Sequence, residues 1–242
     1  NTAAQQTLRE KYQRDSVIVP NVMDFNQPFA RKSEANQPLR RDLGVDEDDI
    51  LLFQITRIVE RKAIDTAIKL VKKLGDKRIK LVITGGYVDD EGNKHYHELM
   101  DLIHDLNVGD QVLFAYDKFS TGLTTDPSNG LYSLSDAYAH ARACTYFSTY
   151  EGFGNAFIEA VVAKTPIFVN NYKPVYWPDI GSKGFRTVML EDNHLTGEKI
   201  EQMKEVIYNN ELNREIGEYN FQVGKKYFSY EILEEKLREL LE

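Results

Sequence analysis

The sequence predicts an α/β fold, a parallel sheet flanked by helices. Two observations predict it. Between residues 50 and 169 short apolar runs alternate with stretches of helical period, and strict strand–helix alternation marks βαβ units. The chain of 242 residues is also long enough to bury a sizeable core, with 42% hydrophobic and 28% charged residues, an ordinary globular balance.

Residues 4–14 read as a short helix, and the β-branched run at 16–19 is stopped by Pro20 and Asn21. From Pro20 to Pro38 there is little periodicity, with three prolines and three asparagines. That is the composition of a linker or long surface loop, and the domain boundary is placed there. Beyond it, 50–55 is a strand. Ile64, Ala67, Ile68, Val71 and Leu74 recur at amphipathic spacing, so 64–74 is a helix. Strand 79–84 ends at Gly85-Gly86. Then come helix 96–106, strand 111–114, helix 131–141, strand 144–148, helix 156–163 and strand 167–169. From Thr196 onward the chain reads as helical, with Gly217 and Gly224 as expected breaks.

Charge excludes some partners. Lys and Arg number 30 against 38 Asp and Glu, a net charge of −8. So acidic a chain is poorly suited to nucleic acid, whose phosphates need a basic face, and to anionic lipid. No apolar run approaches the roughly 18 residues of a transmembrane segment. The single cysteine, Cys144, has no internal partner, which fits a reducing, cytoplasmic location. The polar start lacks the apolar region of a signal peptide, and it suggests a piece of a longer protein. No metal is expected. His95 and His97 are two apart, about 200° around a helix, and no His-Glu-x-x-His or paired cysteines occur.

In a parallel sheet the loops after the strands share one rim, and ligands bind there, where the strand order reverses. The loop after Ile55 carries Arg57 and Lys62. Two cations on that rim suit a diphosphate; a solvated basic loop, with Glu60 pairing a neighbour, is the other reading. The loop after Ser148 reads Glu151-Gly152-Phe153-Gly154-Asn155-Ala156 and leads into a helix carrying Glu159. Its glycines allow close backbone approach, and the helix start offers free N–H groups to an anion. The two carboxylates would repel a phosphate, so they suit hydroxyls: Glu159 a ribose, Glu151 a sugar. Equally, the glycines make only the turn, and Glu159 only favours the helix dipole. Gly85 and Gly86 read either as a close ligand approach or as a tight turn. Tyr172, Tyr176 and Trp177 cluster after Val169, either to stack on a sugar, to face a partner domain or to cap the core.

The run Glu151-Gly-Phe-Gly-Asn-Ala-Phe-Ile-Glu159 resembles the E-x7-E segment of the retaining family 4 glycosyltransferases, which have the GT-B fold. Other segments agree in order. Residues 19–24 resemble the linker into the family's C-terminal domain, Arg57 and Lys62 its Arg-x4-Lys pair, Thr84-Gly85-Gly86 its glycine turn, Val112-Leu-Phe114 the strand near its base pocket, and Pro166 its proline before the next strand. The resemblance implies one Rossmann-like half of a GT-B fold with a helical C-terminal tail. Residues 1–24 would be the tail of a missing N-terminal acceptor domain plus linker, 25–228 the nucleotide-sugar-binding domain, and 229–242 a helix packing back toward the missing half. The implied partners are an NDP-sugar of UDP or GDP type and the protein's own N-terminal domain. The implied activity is hexosyl transfer, incomplete in this fragment alone.

The resemblance also implies roles. Arg57 and Lys62 would hold the diphosphate, Glu159 the ribose hydroxyls and Glu151 the transferred sugar. Gly85 and the backbone of Gly152, Phe153, Gly154, Asn155 and Ala156 would line the same site. Arg57, Lys62 and Glu151 form the catalytic set, with no cofactor and no obligatory metal. Departures from the family pattern are Thr56, Ala63 and Lys164 where it has glycine, a longer segment over 118–130, and a different loop over 170–185. A GT-B phosphorylase or hydrolase using the two glutamates as acid and base, and a non-catalytic nucleotide-sugar-binding module, are the alternatives.

Overall fold

The structure is a computed structural model and describes residues 1–27, 29–87, 90–120, 122 and 124–241. Helix α1 (Thr2–Tyr12) and a single turn α2 (Leu39–Asp42) precede the sheet. Then follow β1 (Ile50–Gln54), α3 (Ile64–Leu74), β2 (Ile79–Ile83), α4 (Asp90–Leu106) and β3 (Val112–Phe114). A small parallel pair, β4 (Phe119–Ser120) and β5 (Tyr132–Ser133), interrupts the alternation before α5 (Leu134–His140). The second half has β6 (Ala143–Tyr146), α6 (Asn155–Val162), β7 (Ile167–Asn170) and β8 (Val188–Leu190). Helices α7 (Gly197–Tyr208), α8 (Asn210–Phe228) and α9 (Tyr230–Leu241) close the chain.

The main sheet has six strands in the order β3-β2-β1-β6-β7-β8, and every pair is parallel. Successive side chains of a strand point to opposite faces, and this sorts the core into two layers. Leu52, Leu81, Ile83, Phe168 and Leu190 meet α3, α4 and α7 on one face. Leu51, Phe53, Val82, Tyr146 and Val169 meet α5 and α6 on the other. Both faces are covered, so the strands are mostly apolar, with Gln54, Thr145 and Asn170 as buried polar exceptions. The order reverses between β1 and β6. A crevice therefore opens between their C-terminal ends.

The expected α/β fold is present, with three local corrections. The helix expected over 131–141 begins only at Leu134, because Tyr132 and Ser133 pair with β4 and Ser133 caps the helix with Asp136. The edge strand β8 carries only three residues and was not read from the sequence. Gly217 and Gly224 do not break the tail; both lie inside α8. The breaks fall instead at Asn209, whose side chain accepts from the Glu211 and Leu212 N–H groups, and at Ser229. The two glycines are packing residues. A Cβ on Gly217 would collide with the Lys164 carbonyl, and one on Gly224 would lie 2.5 Å from Val161 and 2.9 Å from the Phe25 ring. At these two points α8 lies so close to its neighbours that a side chain larger than glycine's does not fit.

The N-terminal and C-terminal segments meet. Met23 bridges to Ser229, and Asn26 donates to Glu231 at 2.6 Å. Leu237, Leu240 and Leu241 of α9 are exposed, as are Leu8 and Tyr12 of α1. No described helix is long and apolar enough to cross a membrane.

Candidate functional site

The loops after β1 and β6 fold against each other across the crevice. The Thr149 N–H donates to the Arg61 carbonyl at 2.8 Å, and Arg61 Nη1 donates to the Tyr150 carbonyl at 3.0 Å. Lys62 closes a helical turn over Glu60–Lys62, and Ala63 reverses the chain with φ 45°. Left-handed backbone costs an alanine about 1 kcal/mol, and it stands where the resemblance expects glycine. Lys164, another such position, has φ 58°. The chain keeps the glycine backbone at both positions without the glycine.

This turn aims Lys62 at Glu151. Its Nζ pairs with Glu151 Oε1, and Arg61 Nη1 lies 3.1 Å from Oε2. The Lys62 and Glu151 side chains are only 13% and 11% exposed. Burial pushes Glu151 up, but the hydrogen bonds from Lys62 and Ser148 and the two cationic charges outweigh it. Its carboxyl is held below the ordinary range. Burial pulls Lys62 down, and Glu151 offsets only part of that. A second anion beside Lys62 would stabilise its charge further.

Sequence reasoning gives Arg61 no role. The solvated-loop reading of the same segment pairs Glu60 with a neighbour. Glu60 is exposed and makes no ion pair among the described residues, whereas Arg61 grips Glu151. Arg57 is exposed at the loop's start and makes no ion pair among the described residues.

Gly154 begins α6 with φ 122°, a conformation that favours glycine. A Cβ there would collide with Tyr172 Oη, which donates to the Phe153 carbonyl at 2.9 Å. Tyr172 and Tyr176 are buried and cap the core, while Trp177 is 55% exposed. Of the aromatic cluster's three readings, core capping holds for the two tyrosines. Among the described residues no side chain caps α6; the Phe157 N–H turns to the Gly154 carbonyl at 3.0 Å, and the N–H groups of Asn155 and Ala156 before it are open to a ligand.

Two clefts meet here. The first holds about 470 Å³ between Pro20, Asn21, Lys62, Tyr146 and the Glu151–Ala156 turn. The second, about 390 Å³, lies along Val22, Met23, Ile158 and Glu159. They share Pro20, Asn21 and Asn155, and Asn21 Nδ2 donates to Asn155 Oδ1 at 2.7 Å at that junction. Glu159 accepts from Tyr138 Oη at 3.0 Å. Burial pushes Glu159 up, and the Tyr138 bond offsets this only in part. The two glutamates thus differ in kind: one neutralised by cations, one uncompensated. Arg57 lines neither cleft. Gly85 packs instead against the chain itself, since a Cβ there would collide with the Thr56 carbonyl. The close approach at that glycine is to backbone. Among the described residues no group of three or more His, Cys, Asp or Glu side chains is placed to hold a metal.

Residues 36–223, more than half of the chain, match the family described as Glycosyl transferases group 1. The chain belongs to this family. Two curated relatives of this glycosyltransferase are each named mannosylglucosylglycerate synthase. That of Thermotoga maritima is 30% identical over 263 residues, covering 100% of this chain and 60% of the relative. That of Petrotoga mobilis is 36% identical over 202 residues, covering 78% of this chain and 47% of the relative. The chain thus spans about half to three-fifths of the length of these relatives. Among solved structures, Anabaena HepE in complex with UDP and glucose has a TM-score of 0.71 at 16% identity, with 99% of this chain and 61% of that one covered. Sucrose-phosphate synthase from Thermosynechococcus elongatus has a TM-score of 0.71 at 17% identity, with coverage of 100% and 56%. These likenesses show the fold: a Rossmann-like parallel sheet as in GT-B glycosyltransferases.

Proposed function

We propose that this glycosyltransferase binds a nucleoside-diphosphate sugar across the two clefts and takes part in retaining hexosyl transfer. The observation that carries the reading is the placement of Lys62, Glu151 and the uncapped start of α6 around one crevice where the strand order reverses. Glu159, in the second cleft, takes the ribose hydroxyls as an ionised acceptor. Lys62 and the N–H groups of α6 take the diphosphate, with Arg57 reaching in from the rim. Glu151 orients the hexose.

Transfer breaks the anomeric C–O bond to the diphosphate and forms one to an acceptor hydroxyl on the same face. The hydroxyl proton leaves to a diphosphate oxygen. Negative charge grows on the leaving group, and fixed cations and helix N–H groups stabilise it by several kcal/mol. Lys62 supplies charge that a metal would otherwise bring, so no obligatory metal is proposed. The acceptor sits on a second domain of the full protein, against the exposed apolar residues of α1 and α9. The relatives' name contains a mannosyl and a glucosyl unit, which puts mannose and glucose first among the sugars to test. A hydrolase is disfavoured: Glu151, held ionised by Lys62 and Arg61, is a poor general acid.

Calorimetric titration with UDP, GDP and ADP in EDTA tests this reading. One nucleotide is expected to bind, and Lys62→Ala to weaken it at least roughly tenfold. Unchanged affinity in both Lys62→Ala and Glu159→Ala would overturn the site.

A further inference from the structure

Gln54, Thr145 and Asn170 are polar side chains buried to 2–3% exposure toward the C-terminal ends of β1, β6 and β7. A buried amide is costly unless its hydrogen bonds are made. Here they are made, and they lead to the ion pair. Asn170 Nδ2 donates to the Ser148 carbonyl at 2.9 Å, and its Oδ1 accepts from the Asn193 N–H at 3.0 Å. The Ser148 side chain in turn hydrogen-bonds Glu151. Gln54 acts on the cation's side. Its Nε2 donates to the Lys62 carbonyl at 2.9 Å, and its Oε1 accepts from Thr145 Oγ1 at 2.9 Å. A carbonyl can only accept, so Lys62 fixes the amide's orientation, and the Thr145 hydroxyl satisfies its other end.

The Lys62 carbonyl belongs to the peptide that leads into Ala63, the residue with φ 45°. A left-handed residue that carries a side chain persists only where its surroundings hold it. The turn's own bonds run from the Lys62 N–H to the Val59 carbonyl and from the Ala63 N–H to the Glu60 carbonyl. They close the turn but do not tie it to the sheet. Gln54 ties it to β1. The same turn brings Lys62 Nζ to Glu151 and to 5.7 Å from the centre of the Tyr146 ring, and Tyr146 follows Thr145 in β6. The cation, its carboxylate and the aromatic ring beside them thus hang on one buried network across two strands. Neither Gln54 nor Thr145 lines either cleft, so both act through Lys62 rather than on a ligand.

We propose that Gln54 is a positioning residue: by holding the Lys62 carbonyl it sets the left-handed turn at Ala63 and aims the Lys62 ammonium at the leaving diphosphate. The proposal rests on the reading above that Lys62 takes the diphosphate of a nucleotide sugar. It also accounts for alanine at a position where the family pattern has glycine. The buried amide holds a backbone that glycine would reach by its own freedom.

The test follows Gln54→Met alone and together with a change in the ion pair, by two measurements. The first is calorimetric titration with UDP, GDP or ADP, whichever the wild type binds. Gln54→Met should weaken that affinity roughly tenfold. On a Lys62→Ala background it should weaken it no further, because the aim of an absent ammonium cannot be lost. The second is urea melting, which needs no ligand. The stability lost in Gln54→Met should shrink by roughly half when Glu151→Gln is already present, since both changes undo the same ion pair. Thr145→Val frees the Gln54 amide to turn and should give the same pattern at smaller size, so a Gln54→Met chain that does not fold leaves the test standing. Wild-type affinity in Gln54→Met would overturn the proposal. So would losses that add in full to those of Lys62→Ala and Glu151→Gln, which would make Gln54 a matter of packing alone. A wild type that binds none of the three nucleotides would overturn the proposed function instead, and the melts would still decide whether Gln54 holds Lys62 in place.

Discussion

Lys62 and Glu151 form a largely buried ion pair that joins the loops after β1 and β6 across 89 residues of sequence. Removing one partner leaves the other buried and uncompensated. Glu151→Gln is therefore expected to cost about 2–4 kcal/mol of stability at pH 7. The folded pKa of Glu151 is held below its ordinary value, so ionised Glu151 favours the folded state. That contribution is complete above the ordinary carboxyl range and fades as pH falls through the folded pKa. Urea melts at neutral and acid pH check it: the gap between wild type and variant should narrow in acid. A gap of equal size at both would contradict the pair's role.

Glu159 should behave in the opposite sense. Burial raises its folded pKa, so folding is favoured while the group is protonated, and that advantage is lost as pH rises through the folded value. Glu159→Gln removes the buried charge and keeps an acceptor for Tyr138. Its melting temperature should rise by about 1–3 °C at pH 7, and the gain should vanish in acid. Nucleotide affinity should fall by about tenfold in the same variant. A variant no more stable than wild type would show that water already solvates the carboxylate.

Gly154→Ala tests the turn that begins α6. It combines a forbidden φ of 122° with a collision against Tyr172 Oη, and should cost about 2–4 kcal/mol. Placed on a Tyr172→Phe background, the cost should shrink by about 1 kcal/mol because the colliding oxygen is gone. Additive losses would show that backbone strain alone carries the penalty.

Gly217→Ala reverses the usual helix expectation. In an unconstrained helix alanine would gain about 1 kcal/mol over glycine. Here its Cβ would meet the Lys164 carbonyl, so thermal melts should show a lower midpoint. A higher one would mean that α8 can lift from α6 freely.

The alternation of strands and helices is legible in the chain alone, since apolar period is written locally. Ile50–Gln54, Ile64–Leu74 and Ile79–Ile83 could be read within a residue or two of where they lie. The chain alone also marks both rim loops, because glycines, cations and glutamates stand out at strand ends. The rest depends on contacts made across the fold. Arg61 looks like any surface cation until the loop after β6 brings Glu151 to it. Gly217 and Gly224 look like helix breaks until α6 and Phe25 press against them. The glutamates Glu151 and Glu159 look alike in sequence, yet one is neutralised by two cations and the other is buried with a phenol. Packing distances and electrostatic partners join residues far apart in the chain, and those are settled only when the strands take their order in the sheet.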